Sequence, residues 1–239
     1  MSNAASGNEI LVFERGSNGT LEDPVAYATG GYGTGGGLGN QASLALANGN
    51  RYLYALNAAS DDISAFAVTR NGLALIESPT PSGGDMPISL TVHNDLLYVV
   101  NAGGDANISG FRIGTDGGLT PIDGSTQPLG GVAPAQIGFT PKGDVLVVTE
   151  KGTNTISTYT VDRDGVAAAP QTFPSAGQTP FGFSFSQRGV LVVSDAAGGA
   201  PVSGAGGAAN SAAAAAHHAR APHASPPRSR TDARDRTRG

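Results

Sequence analysis

One phrase recurs four times along this 239-residue chain: an apolar strand ending in a small polar residue, a short turn, a strand built on Ile and an aromatic, then a turn with Gly. It reads Asn3-Ala4-Ala5 to Ile10-Leu11-Val12-Phe13, Asn57-Ala58-Ala59 to Ile63-Ser64-Ala65-Phe66, Asn101-Ala102-Gly103 to Ile108-Ser109-Gly110-Phe111, and Glu150-Lys151-Gly152 to Ile156-Ser157-Thr158-Tyr159. The isoleucines at 10, 63, 108 and 156 set a period of about 45 to 53 residues, the length of one four-stranded supersecondary unit. Such a unit buries its apolar faces against the next copy rather than within itself.

Each copy divides into short strands at its turns. Ile88 to Val92 alternates toward the polar turn His93-Asn94-Asp95, and Leu96 to Val100 follows as a continuous apolar run, suited to a strand covered on both faces. Hairpin signals recur as Ser17-Asn18-Gly19, Arg70-Asn71-Gly72, Asp116-Gly117-Gly118 and Asp164-Gly165, where Asn, Asp and Gly accept the positive φ of a tight turn. Pro87, Pro134 and Pro180 each open a new alternating strand, and no stretch of the body has helical apolar spacing. The reading is an all-β chain, a β-propeller of four-stranded antiparallel blades with about four to four and a half blades over residues 1–198. The repeats are placed to begin near 1, 51, 96, 144 and 190. An arc of that length leaves open blade edges through which copies can associate.

Residues 199–239 are a different sequence. After Val202 there is no Val, Leu, Ile, Met, Phe or Tyr, and the segment is basic, with roughly 6 Arg against 2 Asp, whereas residues 1–200 carry roughly 8 basic and 17 acidic residues. A segment so poor in apolar side chains cannot offset the entropy of ordering it, about 1 to 2 kcal/mol per residue. It is read as a low-complexity disordered tail or as a shifted reading frame that interrupts the fifth repeat, the chain itself beginning inside a blade.

Charge and composition exclude several classes. The acidic repeats repel phosphate backbones, which argues against nucleic acid as their partner. Cysteine is absent, removing disulfides and thiolate metal sites. No apolar run approaches a membrane span and no leader follows Met1, so the chain reads as soluble and, as written, cytoplasmic, with export not excluded if a signal lies upstream.

Gly31-Tyr32-Gly33-Thr34-Gly35-Gly36 has glycines in a dinucleotide-like spacing but lacks the apolar strand before it and the helix after it, and reads as a long mobile loop between blades. His93, the one histidine of the body, lies in a turn and cannot make a metal site alone. No G-x-S-x-G elbow is present, and no cofactor is indicated. Glu150 departs from the repeat, because the aligned places carry Asn3, Asn57, Asn101 and Asp195. A carboxylate at the end of a second strand, near the axis, suits a general acid or base; the alternative is a solvated Glu beside Lys151.

The period, the Pro-led first strand, the Leu-Tyr-Val-Val-Asn second strand and the Ile-Ser-x-Phe third strand resemble the seven-bladed β-propeller lactonase family, which includes 6-phosphogluconolactonases of propeller type and carboxymuconate cyclases and is close in pattern to YVTN repeats. The resemblance implies lactone hydrolysis or lactonising cyclisation of a carboxylated small molecule. It carries over Glu150 as the proton-transfer residue. Where the family has Pro-Arg-His, this chain has Pro134-Ala135-Gln136; Pro87 is followed by Ile88 and Pro180 by Phe181. Gln136 is left as a hydrogen-bond donor to an oxyanion, and Arg112 as a contact to a substrate anion. The alternative is a non-catalytic propeller serving as a binding or scaffold module, or an inactive truncated fragment.

Overall fold

The computed structural model describes residues 1–196, and the low-complexity tail lies outside them. Within them every regular element is a strand. The first sheet pairs β1 (Glu9–Val12) with β2 (Val25–Ala28). The second holds β3 (Leu44–Ala47), β4 (Tyr52–Asn57), β5 (Asp62–Thr69) and β6 (Gly72–Leu75), with the short β7 (Thr80–Pro81) also on β5. The third repeats that plan with β8 (Pro87–His93), β9 (Leu96–Asn101), β10 (Asn107–Ile113), β11 (Leu119–Pro121) and β12 (Gln127–Pro128). The fourth is β13 (Pro134–Phe139), β14 (Val145–Glu150), β15 (Thr155–Thr160) and β16 (Gln171–Pro174), and the fifth pairs β17 (Pro180–Phe185) with β18 (Leu191–Asp195). All pairings are antiparallel, and we number these sheets as blades I to V.

The core lies between blades. Alternate residues of each second strand face opposite neighbours, which is why these strands read as unbroken apolar runs. Leu53 and Ala55 pack with Ile10 of blade I, whereas Tyr54 and Leu56 pack with Leu90, Val99 and Phe111 of blade III. One seam further on, Tyr98 and Val100 meet Ile137, Phe139 and Val148 of blade IV. Large exposed apolar residues are scattered over blade edges and loops, among them Leu21, Val25, Leu46, Phe173 and Val192.

Polar groups on the inner strands register one blade on the next. The Ser89 hydroxyl accepts from the Ile137 N–H at 3.1 Å and Thr91 from the Phe139 N–H at 3.2 Å. Second-strand tyrosines make a longer clamp. Tyr54 donates to the Gly117 carbonyl of the next blade at 2.8 Å, and Tyr98 donates to Gly165 at 2.6 Å while accepting from the Ala167 N–H at 3.0 Å. The carbonyls belong to the Asp-Gly hairpins, where Gly117 and Gly165 take φ of 89° and 78°. Blades IV and V place Val147 and Val192 where the tyrosines stand, so this clamp ends at blade IV. At the opposite rim, Ala42, Met86, Ala133 and Thr179 each take a left-handed conformation just before a first strand, φ 54° to 60°. This repeated kink turns the chain inward to the inner wall.

Burial pushes the Tyr98 hydroxyl up from 10.0 to about 12. The fold therefore favours the neutral phenol: its contribution is complete below pH 10 and drains away as the pH rises through 12. Tyr98→Phe leaves Gly165 and Ala167 without a partner and should cost about 1–3 kcal/mol at neutral pH. Urea denaturation followed across the alkaline range should also show a shallower loss of stability in this variant than in the wild type.

Candidate functional site

A recurring corner builds the rim at which the second strands end. In each of blades II to V, the last residue of the second strand is pressed against a glycine of the incoming turn. A Cβ on Gly31, Gly84, Gly131 or Gly177 would collide with Asn57, Asn101, Glu150 or Asp195 respectively. Two residues before each glycine, a backbone N–H reaches the preceding blade: Thr29 to Asn8, Ser82 to Asp61, Leu129 to Ala106, and Ser175 to Asn154. The four corners are therefore built alike, and they differ only in side chains.

In blade II the corner is fully satisfied. Asn57 donates to Asp62 at 2.5 Å and Ser64 at 2.8 Å, and its oxygen accepts from Asn8 at 2.9 Å and Thr29 at 2.7 Å. Asp62 is pushed above the usual carboxylate range by burial, opposed by hydrogen bonds from Asn57 and Ser60. In blade V, Ser175 donates to Asp195 at 3.0 Å. Blade IV keeps half of this arrangement. One oxygen of the fully buried Glu150, Oε2, accepts from Ser157 at 2.8 Å and Thr155 at 3.1 Å. The other, Oε1, is buried and has no donor among the described residues, because the donors that serve Asn57 are replaced by Ala106 and Leu129. The Asn101 oxygen also lacks a donor, but it is a neutral amide, and Asp61 and Ser82 keep its corner polar. The solvated Glu150 beside a turn, one of the two sequence readings, is overturned: the side chain is at 0% exposure.

Lys151 stands out beside it. Its Nζ donates to the Gly39 carbonyl at 2.6 Å and the Pro134 carbonyl at 2.9 Å and lies 5.7 Å from the centre of the Phe181 ring. Burial holds this ammonium below the usual lysine range. The Tyr159 hydroxyl is raised, first by burial and then by the Glu150 charge.

The glycine-rich loop, expected to be long and mobile, is instead pinned at both ends. Asn3 clasps its start through Thr34 and Gly36. Its far end crosses to Ile88 through the Asn40 amide and to Ala135 through the Gln41 N–H at 2.9 Å. Beyond its end, first-strand residues of blades II to V line an open cavity of about 350 Å³, among them Leu44, Leu90, Gln136, Ile137 and Phe183.

The structure does not gather the other sequence-derived candidates around Glu150. Gln136 spends its amide on the next blade, donating to the Phe183 carbonyl at 3.1 Å and accepting from the Phe183 N–H at 3.0 Å. Arg112 pairs with Leu96 at the start of β9, whereas Glu150 ends its strand at the opposite rim. There Arg112 makes an ion pair with Asp95 at 2.7 Å and donates to the Asp164 carbonyl at 2.8 Å, joining blades III and IV. His93 packs against Phe139 with ring centres 5.7 Å apart. Sequence reading missed the corner itself. Its signals were present in the spacing of Gly31, Gly84, Gly131 and Gly177, and in the loss of a hydroxyl at Leu129.

The family model for lactonases of the seven-bladed β-propeller type matches residues 6–132 and 122–198. The chain belongs to the seven-bladed β-propeller lactonase family. Among solved structures, it resembles a Bacteroides uniformis protein assigned to the 6-phosphogluconolactonases, with a TM-score of 0.63 and 19% identity over 80% of this chain and 62% of that one. A Bacteroides fragilis protein with the same assignment gives 0.58 and 21% identity over 80% and 58%. The periplasmic gluconolactonase PpgL of Pseudomonas aeruginosa gives 0.58 and 17% identity over 78% and 56%. These likenesses establish the lactonase-propeller fold, and the chain spans about three fifths of the length of each. No curated protein matches its sequence significantly. No helix among the described residues is long and apolar enough to cross a membrane.

The corner is open to direct test. Gly131→Ala places a methyl against Thr153, Thr155 and Glu150 and should destabilise by about 1–3 kcal/mol. Gly36→Ala, where nothing stands in the way, should stay within about 0.5 kcal/mol of wild type in the same urea titration.

Proposed function

We propose that this lactonase-family propeller opens or closes a lactone on a carboxylated small molecule, with Glu150 as the proton-transfer group. The observation that supports this reading is the buried Oε1 of Glu150, which has no donor among the described residues, in a corner whose counterpart around Asn57 is fully paired. A structural carboxylate gains by having both oxygens hydrogen-bonded. One left open on a single side can take a proton from an incoming hydroxyl or water. In the hydrolytic direction, Oε1 removes a proton from water as its oxygen attacks the lactone carbonyl. The ring C–O bond then breaks, and the same proton returns to the departing alkoxide. One water is added and Glu150 ends as it began. Ser157 and Thr155, fixed on Oε2, hold the carboxylate in place through both steps. Because Glu150 is fully covered, the reaction needs the corner to open around Oε1 before substrate reaches it.

A second reading, a binding propeller without catalysis, is favoured by a different observation. Gln136 and Arg112 are both spent on joining neighbouring blades, so neither is free to hold an oxyanion. Lactone hydrolysis by the wild type and by Glu150→Gln, followed by proton release in weak buffer, separates the two. The lactonase reading expects a loss of about 100-fold or more in kcat, the usual worth of a general acid or base. Equal rates in the two proteins would remove Glu150 from the chemistry and leave the binding reading.

A further inference from the structure

The blade IV corner departs from the repeat at a second place. The residue after the corner position is Ala58 in blade II, Ala102 in blade III and Ala196 in blade V, but Lys151 in blade IV. Its ammonium is half buried and is held by two carbonyls from separate segments, Gly39 of the glycine-rich loop and Pro134 at the head of β13. No carboxylate neutralises it: among the described residues the one ion pair is Arg112 with Asp95. An ammonium carries three donors, and two are taken.

Its surroundings are equally distinctive. The chain runs toward this rim along each second strand and away from it along each first and third, so Arg15, Arg51, Arg70, Arg112, Lys142, Arg163 and Arg188 all fall at the other rim. Lys151 is the one basic side chain among the described residues at the rim that also carries Asp61, Asp62, Asp85, Asp105, Glu150 and Asp195. Among the described residues, an anion approaching that acidic rim has a single basic side chain to meet.

We propose that Lys151 is an anion-recognition residue, whose third N–H takes a carboxylate or phosphate group of a small ligand at the junction of the glycine-rich loop with blades IV and V. The geometry has the parts such a subsite needs. The Gly39 and Pro134 carbonyls fix the ammonium, and the Phe181 ring lies beside it at 5.7 Å. Gln41 bonds to Ala135 and lies against Gly182, so the loop, β13 and β17 converge at this one point. A charge-assisted contact from a partly desolvated ammonium is stronger than the same contact in open water. The proposal rests on reading this rim as the ligand-handling face, but it concerns binding and needs no turnover.

The test is calorimetric titration of the full chain with sodium D-gluconate and, separately, with inorganic phosphate, each in sodium chloride of matched ionic strength. The variants are Lys151→Ala, which restores the residue that the other blades carry and should fold, and Lys151→Arg, which keeps the charge. The expected result is saturable binding of at least one anion, weakened by about tenfold or more in Lys151→Ala and partly retained in Lys151→Arg. Binding of gluconate alone identifies a carboxylate subsite, and binding of phosphate alone a phosphate subsite. Absence of binding to the wild type, or equal affinity in Lys151→Ala, overturns the proposal. Either result is distinct from equal hydrolysis by wild type and Glu150→Gln, which bears only on the chemistry.

Discussion

Each second strand ends on a polar side chain that is fully enclosed in blades II, III and IV, at Asn57, Asn101 and Glu150. Burying such a group without partners costs a few kcal/mol, so the chain must bring donors and acceptors to it from elsewhere. A third-strand side chain meets it in each blade, Ser64 in blade II, Asn107 in blade III and Ser157 in blade IV. The returning turn adds Thr29 in blade II and the Ser82 carbonyl in blade III, and a glycine lets this turn come close in all three. These contacts fix where one blade stands relative to the last. The inner strands, the apolar seams and the left-handed kinks before each first strand all follow from that placement.

The repeated architecture was legible in the sequence because its signals are local. Unbroken apolar runs such as Leu97 to Val100 marked strands covered on both sides, and the contacts of Tyr98 and Val99 with opposite neighbours give the reason. Asp-Gly pairs marked the hairpins, and Gly117 and Gly165 take the positive φ there. The tyrosine clamp was not legible. Its partners, Gly117 for Tyr54 and Gly165 for Tyr98, lie a full blade further along the chain.

The site was legible in part, for the same reason. Glu150 stood out as a break in the repeat, but its burial could not be read from a position next to a lysine and a turn. Gln136 and Arg112 were singled out as residue types able to bind anions; the structure shows both engaged between blades, through Phe183 in one case and through Asp95 and Asp164 in the other. What marks blade IV is a cluster of departures from its own repeat: Glu for Asn, Lys for Ala, and Ala106 with Leu129 where blade II has Asn8 with Thr29. Only the folded register brings these four positions to one corner.

That cluster gives blade IV a corner held on one side and open on the other, and the open side is where function, rather than structure, is proposed to reside. Glu150→Asn installs the residue that blades II and III use at this place. Paired urea denaturation and lactone hydrolysis of this variant are the most direct measurement. The variant should stay within about 1.5 kcal/mol of wild type, the cost of a volume change in a packed site, and lose hydrolysis. Unchanged hydrolysis, or a loss of hydrolysis explained by unfolding, would contradict that proposal.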